Sequence, residues 1–240
     1  KLHAREIRRP YVTALVDEVQ DFSAPQLKFL RALVDEGAND LFLTGDTHQR
    51  IYGQPIRMSR CGIEIRGRAR KLRVNYRTTA RVRAWAVAAL TGESFDDMDG
   101  GEDTLDGYRS LRVGVEPQLH FMKSKKAQMA AVASTIHGWL EDGPPEEICV
   151  AAYTNADVAA LQEVLAAADI DTVILKKDAT AQGDGVRLAT FHRLKGLEFP
   201  RVLLTSVQEG KMPIRTPEYY TMDEVDKRNW DRQQRCLLYV

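Results

Sequence analysis

Short apolar runs alternate along this chain with stretches whose apolar residues recur every three or four positions, and the runs end in polar or acidic residues. Ala14-Leu15-Val16 stops at Asp17-Glu18, and Leu41-Phe42-Leu43 stops at Thr44-Gly45-Asp46. Between them, Ser23 and Gln26 form a capping box and Pro25 suits a first helical turn. Leu27, Leu30, Leu33 and Val34 follow at helical spacing, with Gly37 expected to end the helix. Strand, helix and strand with short links predict a right-handed crossover and parallel strands. Asp17, Glu18 and the loop after Leu43 then share the carboxyl edge of a sheet, where open α/β sheets bind ligands. Leu72-Arg73-Val74 is a third candidate strand, followed by a helix with Val82, Trp85, Ala86, Ala89 and Leu90 on one face.

The stretch Thr91 to Tyr108 is rich in Gly and Asp and breaks the pattern, so it is expected to remain an unpacked linker. Beyond it, strands are predicted at Leu119–Met122, Ile148–Ala152, Thr172–Leu175, Val186–Thr190 and Val202–Thr205. Helices are predicted at Lys125–Leu140, at Ala156–Ala168 and toward the C-terminus. The fold class is α/β: residues 1–92 and 111–240 form two sheet-and-helix domains, joined by an acidic linker at 93–110, with a cleft between the domains.

The 240 residues suffice for two such domains, and 34 basic residues balance 34 acidic ones. The local distribution is uneven. Arg50 to Arg83 holds ten Arg and Lys71 against Glu64 alone, whereas Glu93 to Asp106 holds seven acids and no Lys or Arg. The basic block reads either as a face for a polyanion or as a solvated face with structural ion pairs. Cys61, Cys149 and Cys236 have no metal-ligand spacing and read as reduced thiols. With no apolar stretch at the N-terminus and no run of membrane-spanning length, a soluble cytoplasmic protein, active at the nucleoid, is expected.

A strand ending in Asp-Glu has a specific chemical use. Asp can accept a bond from Mg²⁺-bound water, and an adjacent Glu can polarise an attacking water. The plainer reading is a pair of acids capping the next helix.

Longer runs weigh against the plainer reading. Asp17-Glu18-Val19-Gln20-Asp21 is followed by Gly45-Asp46-Thr47-His48-Gln49-Arg50-Ile51-Tyr52-Gly53 and by Asn75-Tyr76-Arg77-Thr78-Thr79. Thr190-Phe191-His192-Arg193-Leu194-Lys195-Gly196-Leu197-Glu198-Phe199 comes later, and Arg235 to Val240 closes the chain. In this order they resemble motifs II to V and the opening of motif VI of the UvrD/Rep family of superfamily 1 helicases. The resemblance implies two RecA-like domains, the first lacking its phosphate-loop strand, with ATP and Mg²⁺ as cofactors and single-stranded or partly duplex DNA as partner. It implies that Asp17 holds Mg²⁺, Glu18 activates water, Gln49 senses the γ-phosphate and Arg77 pairs with phosphate oxygens. Tyr76 would pack on adenine, Gly196 would leave backbone room near the phosphates, and Glu198 would bind the ribose hydroxyls. Thr190, His192 and Tyr52 would contact DNA. The plainer alternatives are a core aromatic at Tyr76, a helix-capping His192, and a Glu198 paired with Lys195.

The chain also departs from the family pattern. Gln54 and Pro55 stand where the family carries an aromatic that stacks on a base, a contact worth about 1–3 kcal/mol. Ten residues, Lys176 to Gly185, stand where the family commonly inserts a large accessory domain. Within the chain, no Gly-rich loop precedes Lys-Ser or Lys-Thr, and motif VI stops before its arginine. A piece of a longer ATP-dependent helicase or translocase, running 3′ to 5′ and barely active by itself, is therefore expected. The rival is a non-catalytic nucleic-acid-binding module with a helicase-like fold.

Overall fold

Strands of only three residues set the geometry of the first half. β1 (Ala14–Val16) and β2 (Leu41–Leu43) pair in parallel, with Ala14 opposite Leu41 and Val16 opposite Leu43. The crossover runs through α1 (Ala24–Ala32), as the alternation requires. The computed structural model describes residues 9–176, 183–208 and 210–240, so most of the Lys176–Gly185 connection lies outside the described residues. The capping box forms as expected, with the Ser23 N–H donating to Gln26 Oε1 at 2.7 Å. Gly37 does not end the helix. The helix closes at Leu33, whose N–H bonds Leu30 O at 3.1 Å. The reason is that Val34 is drawn into a parallel bridge with Tyr11 and is fully buried there.

An ion pair fastens this corner. Arg31 Nη1 lies 2.6 Å from Asp40 Oδ2, and both side chains are largely buried. Burial alone would raise the Asp40 carboxyl, but Arg31 and the N–H groups of Gly37 and Leu41 outweigh it and hold it at about 2. A depressed carboxyl contributes stability above its unfolded value and loses it as pH falls through the folded one. Unfolding followed from about pH 4 toward about pH 2 is therefore expected to show a steeper loss in the native chain than in Asp40→Asn.

The remaining strands of this half are two residues each. β3 (Val74–Asn75) leads into α2 (Ala80–Ala89), β4 (Phe95–Asp96) pairs antiparallel with β5 (Glu102–Asp103), and β6 (Arg109–Ser110) returns parallel to β3. β3 thus starts later than expected and lies outside the β1–β2 sheet. On α2, Val82 and Trp85 stay 45% and 41% exposed, and the Trp85 indole donates to Glu116 at 2.8 Å.

The acidic stretch is not an unpacked linker. Phe95 and Met98 are buried, and the hairpin carries the counter-charges of the basic block. Arg50 pairs with Asp96, Arg66 with Asp99 and Lys71 with Asp103. Its carboxylates are offset by these cations, which is why so acidic a segment can fold down. The same pairs commit part of the basic block to structure and reduce the charge it can offer a polyanion.

The chain divides into two compact units, one running to Glu116 and joined by Asp223–Tyr239, the other Pro117–Met222. The second holds a four-stranded sheet in the order β10-β7-β9-β8, parallel throughout. It comprises α3 (Lys125–Asp142), β7 (Ile148–Ala152), α4 (Asn155–Ala166), β8 (Thr172–Ile174), β9 (Val186–Thr190), the short α5 (Phe191–Leu194) and β10 (Arg201–Leu204). β7 is buried at every position, as its unbroken apolar run predicts for a central parallel strand. Met129, Val132 and Ile136 of α3 and Val158, Leu161 and Leu165 of α4 fill the core against it. Arg201 donates to the α3 carbonyls of Trp139 at 2.7 Å and Asp142 at 3.4 Å, where a helix end lacks partners of its own. Leu119–Met122 is not a strand: Leu119 and Phe121 are 60% and 86% exposed, with no ladder partner among the described residues.

α6 (Glu224–Tyr239) belongs to the first unit. Cys61, Cys149 and Cys236 are free and buried. Among the described residues, no helix is long and apolar enough to cross a membrane.

Candidate functional site

The carboxyl ends of β1 and β2 meet at Asp17. Its Oδ1 accepts a bond from the Thr44 hydroxyl and, at 2.9 Å, from the Glu18 N–H. Those bonds, Thr44 first, hold the carboxyl below its ordinary range. Among the described residues nothing donates to Oδ2, which leaves one exposed, ionised oxygen for a hard cation that keeps most of its own waters. Glu18 has φ of 53°, a left-handed conformation uncommon outside glycine that tends to mark functional sites.

From Glu18 a continuous line of hydrogen bonds reaches Gln49. Gln20 Nε2 donates to Glu18 Oε2. Gln20 Oε1 accepts the Asp46 N–H at 2.9 Å, and Gln49 Nε2 donates to Asp46 Oδ2 at 3.0 Å. Gln20 is buried, so both ends of its amide need partners, and these fix the β1 turn against the β2 loop. Asp46 also caps the 3₁₀ turn Thr47–Gln49, accepting from the His48 N–H and from His48 Nδ1, each at 2.9 Å. Burial pushes its carboxyl up, but the bonds from His48 and Gln49 prevail and keep it low. The contact is close because position 45 is glycine: a Cβ there would lie 2.7 Å from Gln20 Oε1 and 2.8 Å from Val19 Cγ1. Gly45→Ala is expected to cost about 1–3 kcal/mol in thermal or denaturant unfolding, by displacing Gln20.

The other side of the same loop rests on the hairpin and on α6. The His48 ring lies 4.4 Å from that of Phe95 and 6.2 Å from that of Tyr239. Gln233 Nε2 donates to Gly53 O at 2.6 Å, and Asn229 Nδ2 to Gln54 Oε1 at 2.8 Å. Tyr52, between these anchors, is 49% exposed. Gln54 thus serves as a packing contact for α6.

Arg77 and Tyr76 follow β3 in the same unit. Asn75 Oδ1 accepts the N–H groups of both Arg77 and Thr78 at 2.9 Å, a local turn that presents the two side chains outward. Tyr76 is 73% exposed, which rules out the core-aromatic reading.

The remaining site residues lie in the second unit. Thr190 ends β9 and is the N-cap of α5. His192 packs edge-on to Tyr153 at 5.6 Å, and burial lowers its pKa. Gly196 has φ of 81° with no atom of the described residues within 4 Å of where a Cβ would lie, and Glu198 is exposed just beyond it. The structure therefore joins Asp17, Glu18 and Gln49 by hydrogen bonds, and carries Gly196, Glu198, Thr190 and His192 on a separate unit.

Sequence reasoning missed Thr44, Gln20, Asp46 and Arg50. The signal for Gln20 was present, as an amide inside an acidic run directly after a strand.

The chain's first and last quarters match models of one family. Residues 2–55 match the UvrD/REP helicase N-terminal domain and residues 175–240 the UvrD-like helicase C-terminal domain. The chain is 29% identical over 176 residues to the ATP-dependent DNA helicase UvrD2 of Mycobacterium bovis, covering 70% of this chain and 24% of that protein. It is 27% identical over 156 residues to the DNA helicase II of Haemophilus influenzae, covering 63% and 20%. Against the ATP-dependent DNA helicase PcrA of Bacillus subtilis it is 41% identical over 56 residues, covering 23% and 8%. The chain thus spans between a fifth and a quarter of the length of the curated relatives it matches over most of itself, 20% and 24%. With both models matched in family order across half of its length, this chain belongs to the UvrD/Rep-type helicases.

Proposed function

We propose that this chain is part of an ATP-dependent DNA helicase or translocase that couples Mg-ATP hydrolysis to 3′-to-5′ movement on single-stranded DNA. The observation that carries this reading is the hydrogen-bonded line from Glu18 to Gln49 beside the ionised Asp17. It ties a base, an amide and a cation-binding carboxylate into one rigid edge. In this reading the unit running to Glu116 and joined by α6, larger than the residues 1–92 expected, belongs to a first RecA-like domain, and Pro117–Met222 to a second. The 240 residues by themselves barely hydrolyse ATP.

Each side chain then has one task. Asp17 binds a hydrated Mg²⁺, which when bound offsets phosphate charge. Glu18 accepts the proton of the attacking water, and Gln49 orients that water without adding charge. Arg77 pairs its planar fork with phosphate oxygens. Tyr76 stacks on adenine, Glu198 bonds the ribose hydroxyls, and Gly196 lets the backbone approach the phosphates. Tyr52, Thr190 and His192 contact the DNA. The test is DNA-stimulated ATP hydrolysis by the longer protein with Glu18 native and as Glu18→Gln.

A further inference from the structure

Arg50, the residue next to Gln49, is buried with only 7% of its side chain exposed. Its guanidinium meets Asp96 in a two-pronged pair, Nη1–Oδ2 at 2.6 Å and Nη2–Oδ1 at 3.4 Å. The partner lies 46 residues on, in the β4–β5 hairpin. The same hairpin sets Phe95 against the His48 ring on the other side of Gln49, and Met98 O accepts the Met58 N–H at 2.9 Å. Three independent contacts thus pin residues 48 to 58 to one two-stranded element. That element is itself tied down from outside by Arg66–Asp99 and Lys71–Asp103.

We propose that the acidic β4–β5 hairpin is a positioning element for the Gln49 loop, acting chiefly through the Arg50–Asp96 pair. The physical argument is one of alternatives. A buried guanidinium without its carboxylate is strongly disfavoured, so loss of Asp96 drives Arg50 toward solvent. Arg50 adjoins Gln49, so a change in how its side chain is buried acts on the same short loop. The Asp46–Gln49 bond, the His48–Phe95 contact and the α6 bonds to Gly53 and Gln54 then hold the loop without the pair. Because a planar fork meets a carboxylate in one geometry, the pair sets position as well as proximity. This inference rests on the proposed role of Gln49 for its effect on turnover, while the bracing itself does not.

Asp96→Asn keeps shape and removes charge, and Arg50→Lys keeps charge and removes the fork. Both are made in the longer protein and followed by amide hydrogen exchange and by DNA-stimulated ATP turnover. Exchange at residues 47–52 is expected to rise about tenfold or more in either variant, while β7 and β9 stay as protected as in the native protein. At saturating DNA the turnover number is expected to fall about tenfold with the Michaelis constant for ATP within about twofold, because the water that Gln49 orients reacts in the transition state. Unchanged exchange at 47–52 overturns the brace. Raised exchange with native turnover overturns its link to hydrolysis. If the native protein does not hydrolyse ATP at all, the proposed function fails, and exchange alone still decides whether the hairpin holds the loop.

Discussion

Glu18→Gln is expected to lower DNA-stimulated ATP turnover by about 10²–10⁴-fold, the range that a positioned general base contributes. The substitution is nearly isosteric, and the surroundings explain why the loss should be chemical. Gln20 Nε2 donates to a Glu18 oxygen, and the new amide still offers an oxygen to accept that bond. The line through Gln20 and Asp46 to Gln49 can then persist, and Asp17 keeps its bonds from Thr44 and the backbone. Nucleotide affinity, read with a fluorescent analogue, is expected to stay within about threefold, since an amide accepts no proton but blocks no contact. Phosphate release at saturating DNA measures the rate. A fall smaller than about tenfold would remove Glu18 from the role of base.

The second large effect is on stability. Leu161→Ala should destabilise the second unit by about 2–5 kcal/mol. Leu161 is fully buried on α4, which packs on β7 and β9 and has the side chains of α3 as neighbours in one core. Backbone atoms of parallel strands cannot easily collapse into the space left by an isobutyl group, which puts the cost toward the upper part of that range. Denaturant unfolding followed by exchange at β7 and β9 measures it. A change under about 1 kcal/mol would mean that the four-stranded sheet repacks freely.

Local periodicity explains which elements were legible in the sequence. Ser23 and Gln26 announced the start of α1, and the spacing of Met129, Val132 and Ile136 announced the inward face of α3. The unbroken run Ile148–Ala152 announced a strand buried on both sides. Asp17 and Glu18 were legible because a strand must end somewhere, and these ends are acidic. What escaped was non-local. Nothing near Arg50 indicates that its partner is Asp96, and nothing near Asp99 or Asp103 indicates Arg66 or Lys71. The basic block left a polyanion face and a solvated face with structural ion pairs both open, and the acidic block suggested an open linker; Arg50, Arg66 and Lys71 pair across the two blocks. The end of α1 was misplaced for a similar reason: a distant Tyr11 draws Val34 out of the helix before Gly37 is reached.

The three thiols have a practical consequence. Maleimides react with thiolates, and burial pushes Cys149 and Cys236 up to about 12. Cys61 is enclosed beneath α1, within reach of the Ala24 carbonyl. Within these 240 residues a fluorophore directed to one added cysteine, for example in place of the exposed Phe29, would therefore report from a single defined position. A donor and an acceptor on two added cysteines would then meet no competing native thiol within these 240 residues.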